Sequence, residues 1–135
     1  LQAAVAVLRP IVDAANEQGC SVGLYNHGGW FGLPENQIAI IDELKMPNIG
    51  IVYNLHHGHE HLPRFKELLE KMQPHLLCLN LNGMTENGER RGRKIRPIGA
   101  GELDLPLLKM IVDSGYEIID PGACTPLADA EGPVG

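Results

Sequence analysis

The run "NIGIVYNL", residues 48–55, decides the fold class because it is short and apolar at nearly every position. A strand of a parallel sheet has this composition when both of its faces are covered, whereas a half-exposed strand alternates apolar and polar residues. The runs "SVGLYN" (21–26) and "HLLCLNLN" (75–82) have a similar character. The sequence therefore predicts three buried strands of a parallel sheet.

Helical patterns alternate with these strands. Apolar residues recur at helical spacing in four segments, namely residues 3–18, 34–45, 62–73 and part of 102–115. Residues 116–120 could add a fourth strand, and the residues after it show no clear period. Strict alternation of helices and buried strands predicts an α/β fold, either an open doubly wound sheet or part of a (β/α)8 barrel.

The composition is that of one globular domain. Of the 135 residues 44 % are hydrophobic, enough for a modest core. The formal net charge of −6 argues against a nucleic-acid partner, and no apolar run is long enough to cross a membrane. The cysteines, an odd number at wide spacing, fit neither a disulfide framework nor a zinc knuckle. Cys20 and Cys78 are instead expected as buried thiols, a weak indication of a reducing compartment such as the cytoplasm.

Polar residues follow each predicted strand at the point where the chain turns into a loop. The three strand ends are "LYNHGGW", "YNLHHGHEH" and "LNLNGM". Because the carboxyl ends of parallel strands meet at one edge of the sheet, their side chains are expected to converge on one crevice. The converging residues are Tyr25, Asn26, His27, Asn54, His57, Asn80 and Asn82. Amides and imidazoles at three strand ends predict a polar binding site rather than turns alone.

Four of the six histidines lie close together, at positions 56, 57, 59 and 61. In an extended loop His57, His59 and His61 would share one face, and imidazoles suit Zn, Ni or Cu. A closed zinc site needs four ligands of defined geometry, however, and Glu60 is the only carboxylate in the stretch. We therefore expect His59 and His61 to be exposed at the start of the next helix. His57 is the candidate for substrate contact or proton transfer, because its ordinary pKa suits that work near neutrality.

The glycine loop after the first strand contains His27, a second candidate for catalysis. Gly28 and Gly29 would let the backbone approach a ligand closely. Trp30 and Phe31 could form an apolar wall that stacks on a sugar ring, or they could fill the mouth of a barrel as part of its core. The sequence leaves both interpretations open.

Two further motifs receive structural interpretations. The run "IGAGELD" (98–104) is not a dinucleotide-binding motif, because Asp104 stands where the third glycine would be and no long strand precedes it. Its glycines are expected to make the turn that lets Asp104 cap a helix. The run "RRGRK" (90–94) is expected to be a solvated surface loop, with phosphate binding as the alternative.

The strand ends "YNHGG" and "YNLHH", together with "GAGELD" before a helix, carry a family resemblance. In order and spacing they resemble the xylose-isomerase-like TIM-barrel superfamily. That group includes sugar-phosphate isomerases and epimerases and the endonuclease IV type of AP endonuclease. The resemblance runs through residues 1–118 and implies about half of a (β/α)8 barrel, its second half.

The resemblance also implies a divalent metal, commonly Mn, Mg, Co or Zn, held at the strand ends by carboxylates and a histidine. The aligned ligand positions are occupied here by Tyr25, Asn54 and Asn80, while Asp120 could stand in for the last ligand. Neutral side chains do not compensate the charge of a hard dication, so the family metal ligands are not retained. The histidine that contacts substrate in the family aligns with His57.

The resemblance implies a sugar or sugar-phosphate isomerase or epimerase that abstracts a proton next to a carbonyl. If catalysis is retained, the expected catalytic residues are His57 and His27. The expected contacts to a small-molecule carbohydrate are Asn26, Asn54, Asn80, Asn82, Tyr25 and Trp30. The alternative is a non-catalytic carbohydrate-binding or scaffolding barrel, which the missing carboxylates favour. An AP endonuclease is opposed by the acidic charge and by the lost ligands.

The length of the chain bears on its completeness. A (β/α)8 barrel needs roughly 200 residues or more, so the chain is expected to be a fragment that forms an open partial barrel. Its open strand edges would need the remainder of the barrel or a homo-oligomer partner to cover them. The expected boundaries are residues 1–118 for the partial barrel and 119–135 for an irregular tail.

Overall fold

The computed structural model describes residues 1–116 of the chain. Helices alternate with three parallel strands over this range, which confirms the predicted α/β class. The tail at 119–135, Asp120 and all but the first residue of the predicted fourth strand lie outside the described residues. Within residues 1–116, no helix has the length and apolar character needed to cross a membrane.

The elements follow the predicted order. The α-helices are α1 (Gln2–Glu17), α2 (Pro34–Leu44), α3 (Phe65–Met72) and α4 (Asp104–Asp113). The strands are β1 (Val22–Tyr25), β2 (Ile49–Asn54) and β3 (Leu76–Asn80). Short 3-10 helices at Leu55–His57, His59–Arg64 and Gln73–His75 connect them.

Local sequence signals explain the bounds of α2 and the late start of α3. Pro34 lies at the start of α2, where its missing N–H costs nothing. Lys45 ends the same helix in a left-handed conformation with φ of 53°. The first turn of the predicted third helix is instead part of the 3-10 segment His59–Arg64, which contains Pro63.

The three strands pair in parallel in the order β1-β2-β3. Tyr25 lies opposite Val52, and Asn54 lies opposite Asn80, so the polar strand ends are at the same edge of the sheet. This order, with a helix between successive strands, is what consecutive β/α units produce. Within the described residues the sheet is open, with β1 and β3 as its edges.

The hydrophobic core lies between the helices and one face of the sheet. Ile49, Ile51 and Tyr53 of β2 are at most 6 % exposed and belong to one cluster with buried residues of all four α-helices. Alternate strand residues point to the opposite face. There Gly23 is exposed, and Leu77 is 47 % exposed. The prediction that the strands are covered on both faces is therefore wrong for these positions, because the described helices pack on one side.

The cysteines also differ from expectation. Cys20 is exposed in the loop between α1 and β1, and Cys78 is half-buried in the edge strand β3. The prediction of two buried side chains is wrong because neither position faces the helix-covered side of the sheet.

Candidate functional site

The side chain of Asn26 joins the carboxyl ends of β1 and β2. Its Nδ2 donates to the Asn54 carbonyl oxygen at 3.0 Å, and its Oδ1 accepts from the Asn54 backbone N–H at 2.7 Å. The amide thus extends the hydrogen-bonded ladder just beyond the end of β1. Because Asn26 is 1 % exposed and paired on both sides, it positions the strand ends rather than presenting a polar group to a ligand.

Asn54 connects β2 to the histidines that follow it. Its Nδ2 donates to the Tyr25 hydroxyl oxygen at 2.5 Å, and its Oδ1 accepts from the His56 N–H at 2.9 Å. The second bond caps the 3-10 helix Leu55–His57. Since the Tyr25 oxygen accepts from Asn54, the proton of that hydroxyl is available for donation to a ligand.

Three imidazoles, His27, His56 and His57, meet at this edge and are named here the histidine cluster. The ring centroids of His27 and His57 are 4.6 Å apart, and those of His56 and His57 are 4.5 Å apart. The Tyr25 ring lies 5.5 Å from the His57 ring at an interplanar angle of 81°. His57 is therefore at the centre of the cluster, which confirms that His27 and His57 converge from the ends of separate strands.

The environments of His56 and His57 favour neutral imidazoles. Burial lowers the pKa of His57 below its ordinary value of 6.5, and repulsion from His56, His27 and Lys94 lowers it further. Burial also lowers the pKa of His56, with Lys94 as the next contribution. The buried His56 Nδ1 has no hydrogen-bond partner within the described part of the chain. A neutral His57 ring has a free lone pair and can accept a proton near pH 7.

The remaining predicted residues lie near the same edge in different environments. Asn80 is half-buried opposite Asn54 in the sheet. Asn82 Nδ2 donates to the next backbone carbonyl at 3.0 Å, and its buried Oδ1 is unpaired among the described residues. Trp30 and Phe31 are 47 % and 38 % exposed. Neither aromatic side chain therefore belongs to the core of the described residues, and their stacking on a sugar ring stays a prediction.

His59 and His61 are not exposed, so the prediction for both is wrong. His61 is 8 % exposed, and its Nδ1 lies 2.9 Å from the Tyr53 hydroxyl oxygen. His59 is half-buried, and its Nε2 lies 2.9 Å from the Lys94 carbonyl oxygen. The loop does not extend but coils into two 3-10 helices separated by Gly58, so alternate histidines do not share a face.

The substitution Tyr53→Phe is expected to lower the free energy of unfolding by about 1–3 kcal/mol, because it leaves a buried histidine nitrogen unpaired. His61 Nε2 already lacks a hydrogen bond within residues 1–116. Burial of the Tyr53 hydroxyl, and then the charges of Glu60 and Glu35, raise its pKa, so the group stays protonated. Urea unfolding followed by circular dichroism measures the change.

Tyr116→Phe is the matched control for this substitution. Tyr116 is half-buried, and its hydroxyl forms no hydrogen bond with another described residue. The control should therefore change stability by less than about 0.5 kcal/mol. Equal losses in the two variants would show that the bond to His61 contributes nothing.

Among the described residues, those at the ligand positions that the resemblance implies do not fit a divalent cation. Tyr25 and Asn54 offer a phenol and an amide that are bonded to each other, and Asn80 offers a second amide. Within residues 1–116, no group of three or more His, Cys, Asp or Glu side chains is arranged to hold a metal ion. Hard dications need anionic oxygen ligands, which these positions do not supply.

Asp104 organises the long loop after β3, a role that the sequence did not predict. Its Oδ1 accepts from the Met84 N–H at 2.6 Å. Its Oδ2 accepts from the Gly99 and Gly101 N–H groups at 2.7 and 2.9 Å. Burial raises the pKa of Asp104, but the bonds from these three amides outweigh that effect, and the pKa lies below its ordinary value of 3.8. Asp104 makes no capping bond to α4, so its predicted role as a helix cap is wrong.

Neither protein-family models nor curated proteins give a match to this chain. The resemblance to the xylose-isomerase-like superfamily therefore rests on the strand-end motifs and on their order along the chain. A function has to be inferred from the geometry of the histidine cluster.

Proposed function

We propose that this domain is a sugar or sugar-phosphate isomerase or epimerase, built on part of a (β/α)8 barrel of the xylose-isomerase-like type. The observation that carries the proposal is the position of His57, which lies at the centre of the histidine cluster and has a lowered pKa. Isomerisation and epimerisation next to a carbonyl need a base that removes a carbon-bound proton. A neutral imidazole suits this task near pH 7.

In the proposed reaction, His57 accepts the proton from the carbon next to the substrate carbonyl. The electron pair of that C–H bond moves into the carbon–carbon bond, and negative charge develops on the carbonyl oxygen. The Tyr25 hydroxyl is suited to donate to this oxygen, because its own oxygen already accepts from Asn54. Return of the proton from His57 to the former carbonyl carbon, together with transfer of a proton from the adjacent hydroxyl group to the former carbonyl oxygen, completes an isomerisation.

His27 is suited to the second proton transfer. Its ring lies 4.6 Å from that of His57, and it is exposed in the loop that follows β1. From this position it can exchange a proton with a substrate hydroxyl while His57 acts on carbon. A base and an acid on separate strands allow the two transfers to occur at adjacent atoms of one substrate.

The arrangement of the strands supports the barrel part of the proposal. Parallel strands follow one another in chain order, and the polar residues stand at their carboxyl ends, as in known barrel enzymes. Both edges of the sheet are open within the described residues. Further strands or a second copy of the chain would cover those edges.

A second candidate function is non-catalytic carbohydrate binding. The exposure of Trp30 and Phe31 in the loop with His27 favours it, because aromatic faces pack against sugar rings. Tyr25 and His57 would then donate to or accept from sugar hydroxyls without proton abstraction. This candidate predicts affinity for sugars without turnover.

The test of the proposed function is an isomerase assay on a panel of aldoses and ketoses, with and without EDTA. Turnover that survives EDTA is expected, because the donor set does not fit a metal. Loss of turnover on addition of EDTA would contradict catalysis by His57 without a metal ion. Calorimetric binding of a sugar without turnover would support the binding candidate instead.

The pH dependence of kcat/KM gives an independent check on His57. The pKa of His57 lies below 6.5, so the imidazole stays neutral as the pH falls through that value. The acidic limb of the profile is therefore expected below pH 6.5, with activity lost only as His57 becomes protonated. His75→Asn, at the amino-terminal end of β3, is the control and should keep this limb unchanged. An acidic limb above pH 6.5 would argue against a neutral His57 as the base.

A further inference from the structure

Residues 90–96, named here the basic loop, concentrate positive charge in a chain whose formal net charge is −6. The basic residues of this loop are Arg90, Arg91, Arg93, Lys94 and Arg96. Arg91 pairs with Glu102 at 3.2 Å, and Lys94 pairs with Glu89 at 2.9 Å. The other three form no ion pair with any residue in the described range 1–116. The basic loop therefore keeps uncompensated positive charge.

Backbone contacts hold the basic loop at the carboxyl edge of the sheet. Gly83, which follows β3, bonds to Arg96 in both directions, at 2.7 Å from its N–H and 3.1 Å to its carbonyl. The Lys94 carbonyl oxygen lies 2.9 Å from His59 Nε2. Because a carbonyl only accepts, this nitrogen of His59 carries the proton and donates it. The loop is thus attached to the same segment that carries His56 and His57.

Lys94 is close enough to the histidine cluster to affect it. Its positive charge contributes to the lowered pKa of both His56 and His57. Glu89, the partner of Lys94, acts on His56 in the opposite direction. The contact between His59 and the Lys94 carbonyl oxygen places the basic loop beside the segment that carries His56 and His57, and a carboxylate already contacts the Lys94 ammonium group.

We propose that the basic loop binds the phosphate group of a phosphorylated sugar whose carbonyl end lies against His57 and Tyr25. The inference rests on the proposed function and narrows its substrate to phosphorylated sugars. Phosphate oxygens would take the place of the Glu89 carboxylate at Lys94, and a guanidinium such as that of Arg93 can hold two such oxygens at once. An open-chain sugar phosphate carries its carbonyl and its phosphate near opposite ends. The histidine cluster supplies a base for the carbonyl end, and the basic loop attached to the same segment supplies positive charge for the phosphate end.

The first test is calorimetric binding of inorganic phosphate at low salt. Lys94→Gln and Arg93→Gln are each expected to weaken binding roughly fivefold to tenfold, because each removes charge-assisted hydrogen bonds. Glu89→Gln should strengthen binding, since it removes a competing carboxylate. Lys66→Gln, on the exposed side of α3, removes the same charge outside the loop and should change binding less than about twofold. Equal weakening by Lys66→Gln, or no measurable phosphate binding, would overturn the proposal.

The second test separates this inference from the proposed function. Kinetics are measured with a ketose and its phosphate ester, and Lys94→Gln is expected to raise KM for the ester while kcat changes little. Phosphate binding that depends on Lys94, without turnover of either sugar, would refute the isomerase and leave the phosphate site in place. If the free ketose and its ester are turned over equally well, and Lys94→Gln changes neither, the phosphate site would be refuted. The isomerase would remain.

A third arm uses a single-stranded oligonucleotide, because a basic loop is also a possible nucleic-acid contact. Weak binding, comparable with that of phosphate at equal phosphate concentration, is expected. Much tighter binding of the oligonucleotide, lost in Arg93→Gln, would overturn the assignment of the loop to a small phosphorylated sugar.

Discussion

The substitution His57→Gln is expected to lower kcat by about 100-fold or more, because it removes the base that accepts the carbon-bound proton. Glutamine keeps a polar group of similar reach at the centre of the histidine cluster but cannot take up a proton near neutrality. KM should change little if the sugar is held mainly by other groups. The measurement is steady-state kinetics on the sugar that the panel assay identifies, with circular dichroism to confirm folding.

His59→Gln is the matched control for this prediction. His59 donates from Nε2 to the Lys94 carbonyl oxygen, and the amide of glutamine can donate in the same way. The control should therefore retain most of the activity. A fall in kcat that is equal in the two variants would mean that the loop acts as a structural unit. In that case His57 would have no special part in proton transfer.

The substitution Asp104→Ala is expected to reduce the free energy of unfolding by about 3 kcal/mol, because three backbone amides lose a buried charged acceptor. Asp104 is 4 % exposed and accepts from Met84, Gly99 and Gly101. Asp104→Asn should be intermediate, since its carbonyl oxygen can still accept but its NH2 group faces an amide donor. Urea unfolding gives the difference.

The pH dependence of stability has a defined sign at Asp104. Its folded pKa lies below 3.8, so the folded chain keeps the carboxylate ionised while the unfolded chain takes up a proton. The contribution of Asp104 is complete well above pH 3.8, decreases as the pH falls below that value and is lost once the folded carboxylate is protonated. The difference in stability between wild type and Asp104→Asn should therefore narrow over the same acid range.

Asp113→Asn is the control for both measurements at Asp104. Asp113 forms an exposed pair with Lys109 at 2.7 Å on α4, and exposed pairs contribute little to stability. A similar loss for Asp113→Asn and Asp104→Ala would contradict the anchoring role of Asp104. If the free energy of unfolding of Asp104→Asn falls with acid as much as that of the wild type, the anchoring role of Asp104 would be contradicted as well.

Much of the fold could be predicted from patterns that are local in the chain. The alternation of buried strands with amphipathic helices gave the correct order and type of the described elements. Polar residues at the strand ends predicted that Tyr25, Asn54 and His57 would meet at one edge, because the carboxyl ends of parallel strands always do. Hydrophobic periodicity and the residues that end helices and strands carry this information, because they do not depend on contacts with residues distant in the sequence.

The sequence by itself determined the α/β class and the convergence of polar residues at the strand ends. Only the tertiary structure decided what each polar side chain does there. The buried His61 pairs with the hydroxyl of Tyr53, and in the long loop Asp104 accepts from an amide as far away in the sequence as Met84. A hydrogen-bond partner distant in sequence leaves no trace in local periodicity. Which polar side chains are buried, and which groups they pair with, therefore depends on how the helices pack on the sheet and how the loops lie at its edge.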